Sequence, residues 1–108
     1  MRQKISILGC LAAMLLGAAL ADDTVELKAA GGTFQPQQLV VPAGTPFKIK
    51  VTNGEKVPVE FESFELHRER VIQPGETITV NMPALAAGSY KFFDDFNDKT
   101  PQGEIVAK

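Results

Sequence analysis

The sequence predicts an all-β sandwich, a two-sheet Greek key of about seven strands. Three observations carry this. Turn signals recur at short intervals, at Gly31-Gly32, Pro42-Ala43-Gly44, Asn53-Gly54, Pro74-Gly75, Ala87-Gly88 and Gln102-Gly103, each holding residues that favour chain reversal. The stretches between them are short and apolar. Several alternate with period two, and few windows keep the 3.6-residue period of a helix.

In order along the chain, Val25 and Leu27 open the first strand, and Leu39–Val41 supplies a second. Phe47–Thr52 is the cleanest: Phe47, Ile49 and Val51 face one side, Lys48, Lys50 and Thr52 the other;. Val57–Phe64 follows, then Thr77–Met82 with Ile78, Val80 and Met82 in phase, which makes Met82 a core residue rather than a thioether ligand;. Tyr90–Phe93 and a last strand containing Ile105 and Val106 complete the set. Ser63–Arg70 reads either as a turn or two of helix or as an irregular crossing loop. No repeat, linker or low-complexity tract interrupts this single domain.

The first 21 residues read as a leader. Met1–Lys4 carries two positive charges, Ile5–Leu20 is apolar, and Ala19-Leu20-Ala21 fits a signal-peptidase site, so cleavage is expected after Ala21;. The apolar run is short for a membrane span, and only five residues separate Lys4 from Cys10, too few for a lipoprotein leader. A soluble exported domain of residues 22–108 is the expectation. Cys10, the only cysteine, leaves with the leader, so neither a disulfide nor a thiolate is available to the mature domain;. All 13 acids lie beyond the leader, whereas Arg2 and Lys4 of the 11 bases do not. The acidic balance argues against nucleic acid or anionic membranes as partners and suits cations. There is no Ser-His-Asp set, phosphate loop or HExxH pattern, so hydrolytic and nucleotide chemistry have no support.

Carboxylates crowd Glu60, Glu62, Glu65 and Glu69, with Asp94-Asp95 further on, all beside strand-like runs. Two like charges about 5 Å apart repel by roughly 3 kcal/mol at an effective dielectric near 20. A bound cation relieves that repulsion, so an oxygen-rich metal site is the functional expectation. Glu60 and Glu62 share a strand face opposite Val59 and Phe61; they serve as ligands or form a solvated edge. Asp94 falls on the face of Tyr90 and Phe92, pointing inward where the strand ends, as a ligand or as a cap on the following loop. Asp95 faces the other way, to bind metal from there or to stay in water. His67 is the only imidazole, a ligand or a solvated side chain. Glu65 and Glu69 stand four apart on any helix; flanked by Arg68 and Arg70, Glu69 is taken as a surface or ion-paired residue.

Gly88-Ser89-Tyr90-Lys91-Phe92-Phe93 followed by Gly103-Glu104-Ile105-Val106, with Phe34-Gln35-Pro36, Leu39–Gly44 and Val51-Thr52-Asn53, resembles the cupredoxins. The resemblance implies a cupredoxin-like Greek-key β-sandwich. In blue-copper members, cysteine, histidine and methionine ligands stand where this chain has Asp94, Asn97 and roughly Gln102, and the earlier histidine gives way to the Glu60–Glu62 segment. Glu60-Phe61-Glu62-Ser63, Arg68–Ile72, Pro74-Gly75 and Phe92–Phe96 together look like the cupredoxin-like domain of periplasmic iron-uptake systems of the EfeO and FtrB type. That resemblance implies a periplasmic protein binding iron, copper or both. It would work beside an inner-membrane iron permease, promoting Fe²⁺ oxidation or delivery. The expected ligand pool is Glu60, Glu62, Glu65, His67, Asp94 and Asp95. A copper electron carrier with an atypical site and a metal-free adaptor are the competing expectations.

Overall fold

Nine strands, among the described residues, divide between two sheets with no helix. The computed structural model describes residues 23–108, side chains of residues 98–101 excepted; the leader expected over residues 1–21 lies outside the described residues. The strands are β1 (Thr24–Ala30), β2 (Thr33–Gln35), β3 (Gln38–Val41), β4 (Phe47–Asn53), β5 (Val59–Ser63), β6 (Arg68–Ile72), β7 (Thr77–Met82), β8 (Gly88–Asp94) and β9 (Asp98–Ala107). One sheet runs β3-β9-β8-β5-β6 and the other β2-β1-β4-β7. Two parallel pairings, β3 with β9 and β1 with β4, mark the crossovers that lace the sheets together. The all-β sandwich is as the sequence predicts. Nine strands replace about seven because Thr33–Gln35 and Arg68–Ile72 also pair.

Period-two alternation builds the core. Phe47, Ile49 and Val51 on β4 are buried while Lys48 and Lys50 stay exposed. Met82 and Val80 are likewise interior. Phe34 from the four-stranded sheet meets Phe61 and Phe92 from the five-stranded sheet, with ring centroids 6.1 and 5.7 Å away, and Phe61 lies 5.4 Å from Phe92. All three rings are fully buried, and each pair adds about 0.5–1.5 kcal/mol beyond area burial. Gly103 lets β9 pass over this cluster, since a Cβ there would strike the Phe92 ring and the Gln37 carbonyl.

Asn53 fastens one pole. Its side chain is wholly buried; Nδ2 donates to the carbonyls of Val57 (2.8 Å) and Ile72 (2.9 Å), and Oδ1 accepts from the Glu55 N–H (2.7 Å). The end of β4 is thereby joined to β6 in the opposite sheet.

Ser63–Arg70 is neither a helix nor a crossing loop. β5 and β6 form a tight hairpin whose turn is Phe64–His67. Ser63 Oγ accepts the Leu66 N–H (3.3 Å), Phe64 O accepts the His67 N–H (3.2 Å), and His67 adopts φ of 54°. Beyond the turn, Ile72 is inward, so Arg68 and Arg70 share its side and Glu69 and Val71 take the outer one. The arginines reach across the open flank of the sandwich: Arg68 Nε donates to Asn81 O (3.2 Å) and an Arg70 guanidinium N–H to Thr79 O (3.3 Å), both on β7.

Candidate metal centre

The hairpin register decides which acids meet. Glu62 lies directly opposite Glu69, and Glu60 opposite Val71. On the other flank β5 pairs with β8, Glu62 opposite Phe93 and Phe61 opposite Asp94. The Asp95 N–H donates to Glu60 O (3.1 Å), carrying the ladder one residue past β8. Glu60, Glu62, Glu69, Phe93 and Asp95 therefore all project from the outer face of the five-stranded sheet.

Three of these form a cluster. Glu60, Glu62 and Asp95 each offer a carboxylate oxygen, and the three oxygens lie within 4.8 Å of one another. Glu60 is 6% exposed; Glu62 and Asp95 are half-buried. Loss of water around Glu60, a hydrogen bond shared with the Glu69 carboxyl, the Glu69 charge, a further hydrogen bond to Asp95 and the Glu62 charge together push the Glu60 carboxyl up to about 7. Glu62 is also raised, by desolvation first and then by the charges of Glu69 and Asp95. Desolvation and like-charge neighbours both disfavour the charged form of a carboxyl group. Among the described residues the ion pair is Lys91 with Glu104, at 3.4 Å, and it lies apart from this cluster.

The remaining expected ligands go elsewhere. Asp94 is 6% exposed and faces inward, the reverse side from the trio. Its Oδ1 accepts the N–H groups of Glu60 (2.9 Å) and Phe96 (3.1 Å), and its Oδ2 accepts from Asn97 Nδ2 (2.6 Å). The Asn97 amide also donates to Pro58 O (3.2 Å). Glu65 is exposed, with Oε1 accepting the Lys91 N–H at 2.6 Å, so it extends the sheet edge past the end of β5. His67 stands exposed at the hairpin tip and belongs to no carboxylate or imidazole cluster among the described residues.

Glu69 is the residue sequence reasoning set aside. Its neighbouring arginines are tied to β7, so its charge bears on Glu60 and Glu62 instead. The signal open to sequence reasoning was slight: the β-branched pair Val71-Ile72 just before the Pro74-Gly75 turn, which fits the far arm of a hairpin;.

The positions that the sequence resemblance aligns with blue-copper ligands do not fit a blue-copper centre here. The residues at those positions are a carboxylate saturated by three N–H donors, an amide tied to it, and Gln102, which lines an open groove with Gln37, Gln38, Lys91 and Glu104. A blue-copper centre requires thiolate and imidazole. The outer-face trio is an all-oxygen set, suited to hard cations.

Comparison with known proteins gives a consistent picture of the fold. A family model described as "Cupredoxin-like domain" matches residues 4–107. An uncharacterized protein of Rickettsia prowazekii (strain Madrid E) is 37% identical over 73 residues, 68% of this chain; the match spans only 58% of that relative's length. Among solved structures, auracyanin A, a "blue" copper protein from Chloroflexus aurantiacus, has a TM-score of 0.67 at 19% identity, covering 79% of this chain and 98% of its own. Amicyanin from Paracoccus versutus gives 0.60 at 18%, with 82% and 88% covered. The metal-binding domain of a Cu(I)-exporting P-type ATPase from Streptococcus pneumoniae gives 0.66 at 17%, with 79% and 84% covered. At these identities the structural likeness speaks for the fold alone.

Proposed function

The chain belongs to the cupredoxin-like domain family, and from that premise we propose that it is an exported metal-binding protein that holds a hard cation, iron foremost, on Glu60, Glu62 and Asp95. One observation carries the reading: three carboxylate oxygens converge within 4.8 Å, with Glu60 almost wholly withdrawn from water. Such an arrangement is unfavourable as three anions and becomes favourable around a cation. Oxygen donors prefer Fe²⁺, Fe³⁺, Mn²⁺ or Cu²⁺ to Cu⁺. Because they hold Fe³⁺ more tightly than Fe²⁺, they lower the reduction potential and ease loss of one electron from Fe²⁺ to dioxygen or another external acceptor. With the resemblance to iron-uptake domains, this supports capture of ferrous iron in the periplasm and its oxidation or transfer to an inner-membrane permease. The leader pattern supports the compartment;.

A second reading is that Cu²⁺ occupies the trio, alone or beside iron. Its support is the structural likeness to proteins whose names state copper. Anaerobic calorimetric titration of the mature domain with Fe²⁺ and, separately, with Cu²⁺ distinguishes the two. Iron binding that disappears in a Glu60→Gln, Glu62→Gln variant supports the first. Copper binding alone, lost in the same variant, supports the second. Binding of neither ion, or binding unchanged in the variant, removes the trio as a metal site.

A further inference from the structure

Asp94 joins β5 to the segment just after β8, the two stretches that carry the trio, and it does so through donors on both. Its Oδ1 accepts the backbone N–H of Glu60 on β5 and of Phe96, one residue beyond Asp95. The Asp95 N–H returns to the Glu60 carbonyl, and the Asn97 N–H to the Asp94 carbonyl (3.3 Å). Asn97 Nδ2 clamps Asp94 Oδ2 to Pro58 O, just before β5. Glu60 and Asp95 thus hang on one buried carboxylate from opposite ends of a closed hydrogen-bond loop.

We infer that Asp94 is a positioning residue: it does not touch the cation but fixes the separation of the Glu60 and Asp95 carboxylates on the opposite side of the sheet. The inference rests on the reading of the trio as a metal site. A carboxylate holding three N–H donors keeps little lone-pair capacity for a metal, and period-two alternation points it away from the outer face. Its charge is balanced by the donors, in a place where an unpaired buried anion would be costly. Residues that orient ligands without touching the metal typically alter affinity by about 10- to 100-fold. An apolar side chain at the end of β8 would leave the buried Glu60 N–H, and the part-buried Phe96 N–H, without this acceptor;.

The test uses Mn²⁺ as a hard-cation probe, read by calorimetry and by its electron paramagnetic resonance spectrum, on wild type, Asp94→Asn, Asp94→Glu and a core control, Val51→Ala. Asp94→Asn is expected to weaken Mn²⁺ binding about tenfold or more and to broaden the spectrum as the ligands spread. Val51→Ala, matched for lost thermal stability, is expected to leave affinity within about twofold. Asp94→Glu, charged but one methylene longer, should also fail to restore wild-type affinity. Affinity within about twofold of wild type in Asp94→Asn overturns the proposal. So does complete loss of binding with the backbone amide spectrum of Glu60 and Asp95 unchanged, since that is how a direct ligand behaves. If wild type binds neither Mn²⁺ nor Fe²⁺, the metal reading itself has failed. Amide exchange then decides the geometric half: faster exchange at Glu60 and Asp95 in Asp94→Asn than in the core control upholds it, and equal exchange overturns it.

Discussion

The two outer faces of this sandwich use the same alternation for opposite ends. On the four-stranded sheet, register places Glu26 beside Lys50, Thr24 beside Lys48, and Thr52 beside Thr77, whose hydroxyls share a hydrogen bond of 2.8 Å. Charges there are mixed in sign, and the lysines remain exposed. On the five-stranded sheet, Glu62 faces Glu69 across the hairpin, and Glu60 and Asp95 close in from the side. Like charges directly opposite destabilise a sheet. One face is arranged for water; the other stores an electrostatic cost that a cation can release.

The inner side of β5 shows how that cost is tolerated. Phe61→Ala empties the centre of the three-ring cluster and should destabilise the domain by about 3–5 kcal/mol in chemical denaturation, far more than any change on either outer face. A smaller loss would mean that the rings, and not only the acids, are loosely held. Next in size is the double variant Glu60→Gln, Glu62→Gln, expected to weaken Fe²⁺ or Mn²⁺ binding more than about a hundredfold by calorimetry, two ligand charges being lost. A Lys48→Gln, Lys50→Gln pair on the opposite face should leave affinity within about twofold; equal effects would erase the distinction between the faces.

The pH dependence of the metal-free domain sharpens the contrast. Glu60 titrates near 7 in the folded state against an ordinary value of 4.5, so the folded protein binds the extra proton. Its contribution is fully present below about 4.5 and is lost as pH rises through 7. Thermal melts should therefore fall between pH 5 and 8 without metal, and Mn²⁺ should reverse the slope because it competes with that proton. Glu60→Gln should flatten both profiles. Glu69→Gln removes one like-charge neighbour and is expected to raise apo stability at pH 8 by about 0.2–1 kcal/mol. Lys50→Gln, the smallest effect, should stay within about 0.5 kcal/mol.

Much of the framework was legible in the residues. Phe47–Thr52 and Thr77–Met82 declared their faces because Lys, Thr and Asn alternate cleanly with large apolar side chains. Asp94 was placed inward for the same reason. What its oxygens would meet depended on β5, far off in sequence, so the pairing of Phe61 with Asp94 was not legible. Arg68–Ile72 was missed because only Val71 and Ile72 are apolar, too little for a periodicity argument, and because Glu65 and Glu69 fit a helical spacing by coincidence. That single misreading hid the charge that Glu69 places beside Glu60 and Glu62. It also kept Glu65 and His67 in the ligand pool, although the turn carries both away from Glu60. Thr33–Gln35 is simply too short for alternation to register.

The four-residue turn between β5 and β6 holds a further consequence. Side chains switch sides with every step of register, so a one-residue slip of β6 against β5 would carry Arg68 and Arg70 to the outer surface opposite Glu62 and Glu60, but only by turning the fully buried Ile72 into water and Glu69 into the core. Guanidinium groups set opposite those carboxylates would neutralise them. The burial of Ile72 is therefore what keeps the guanidinium groups off the carboxylate face;.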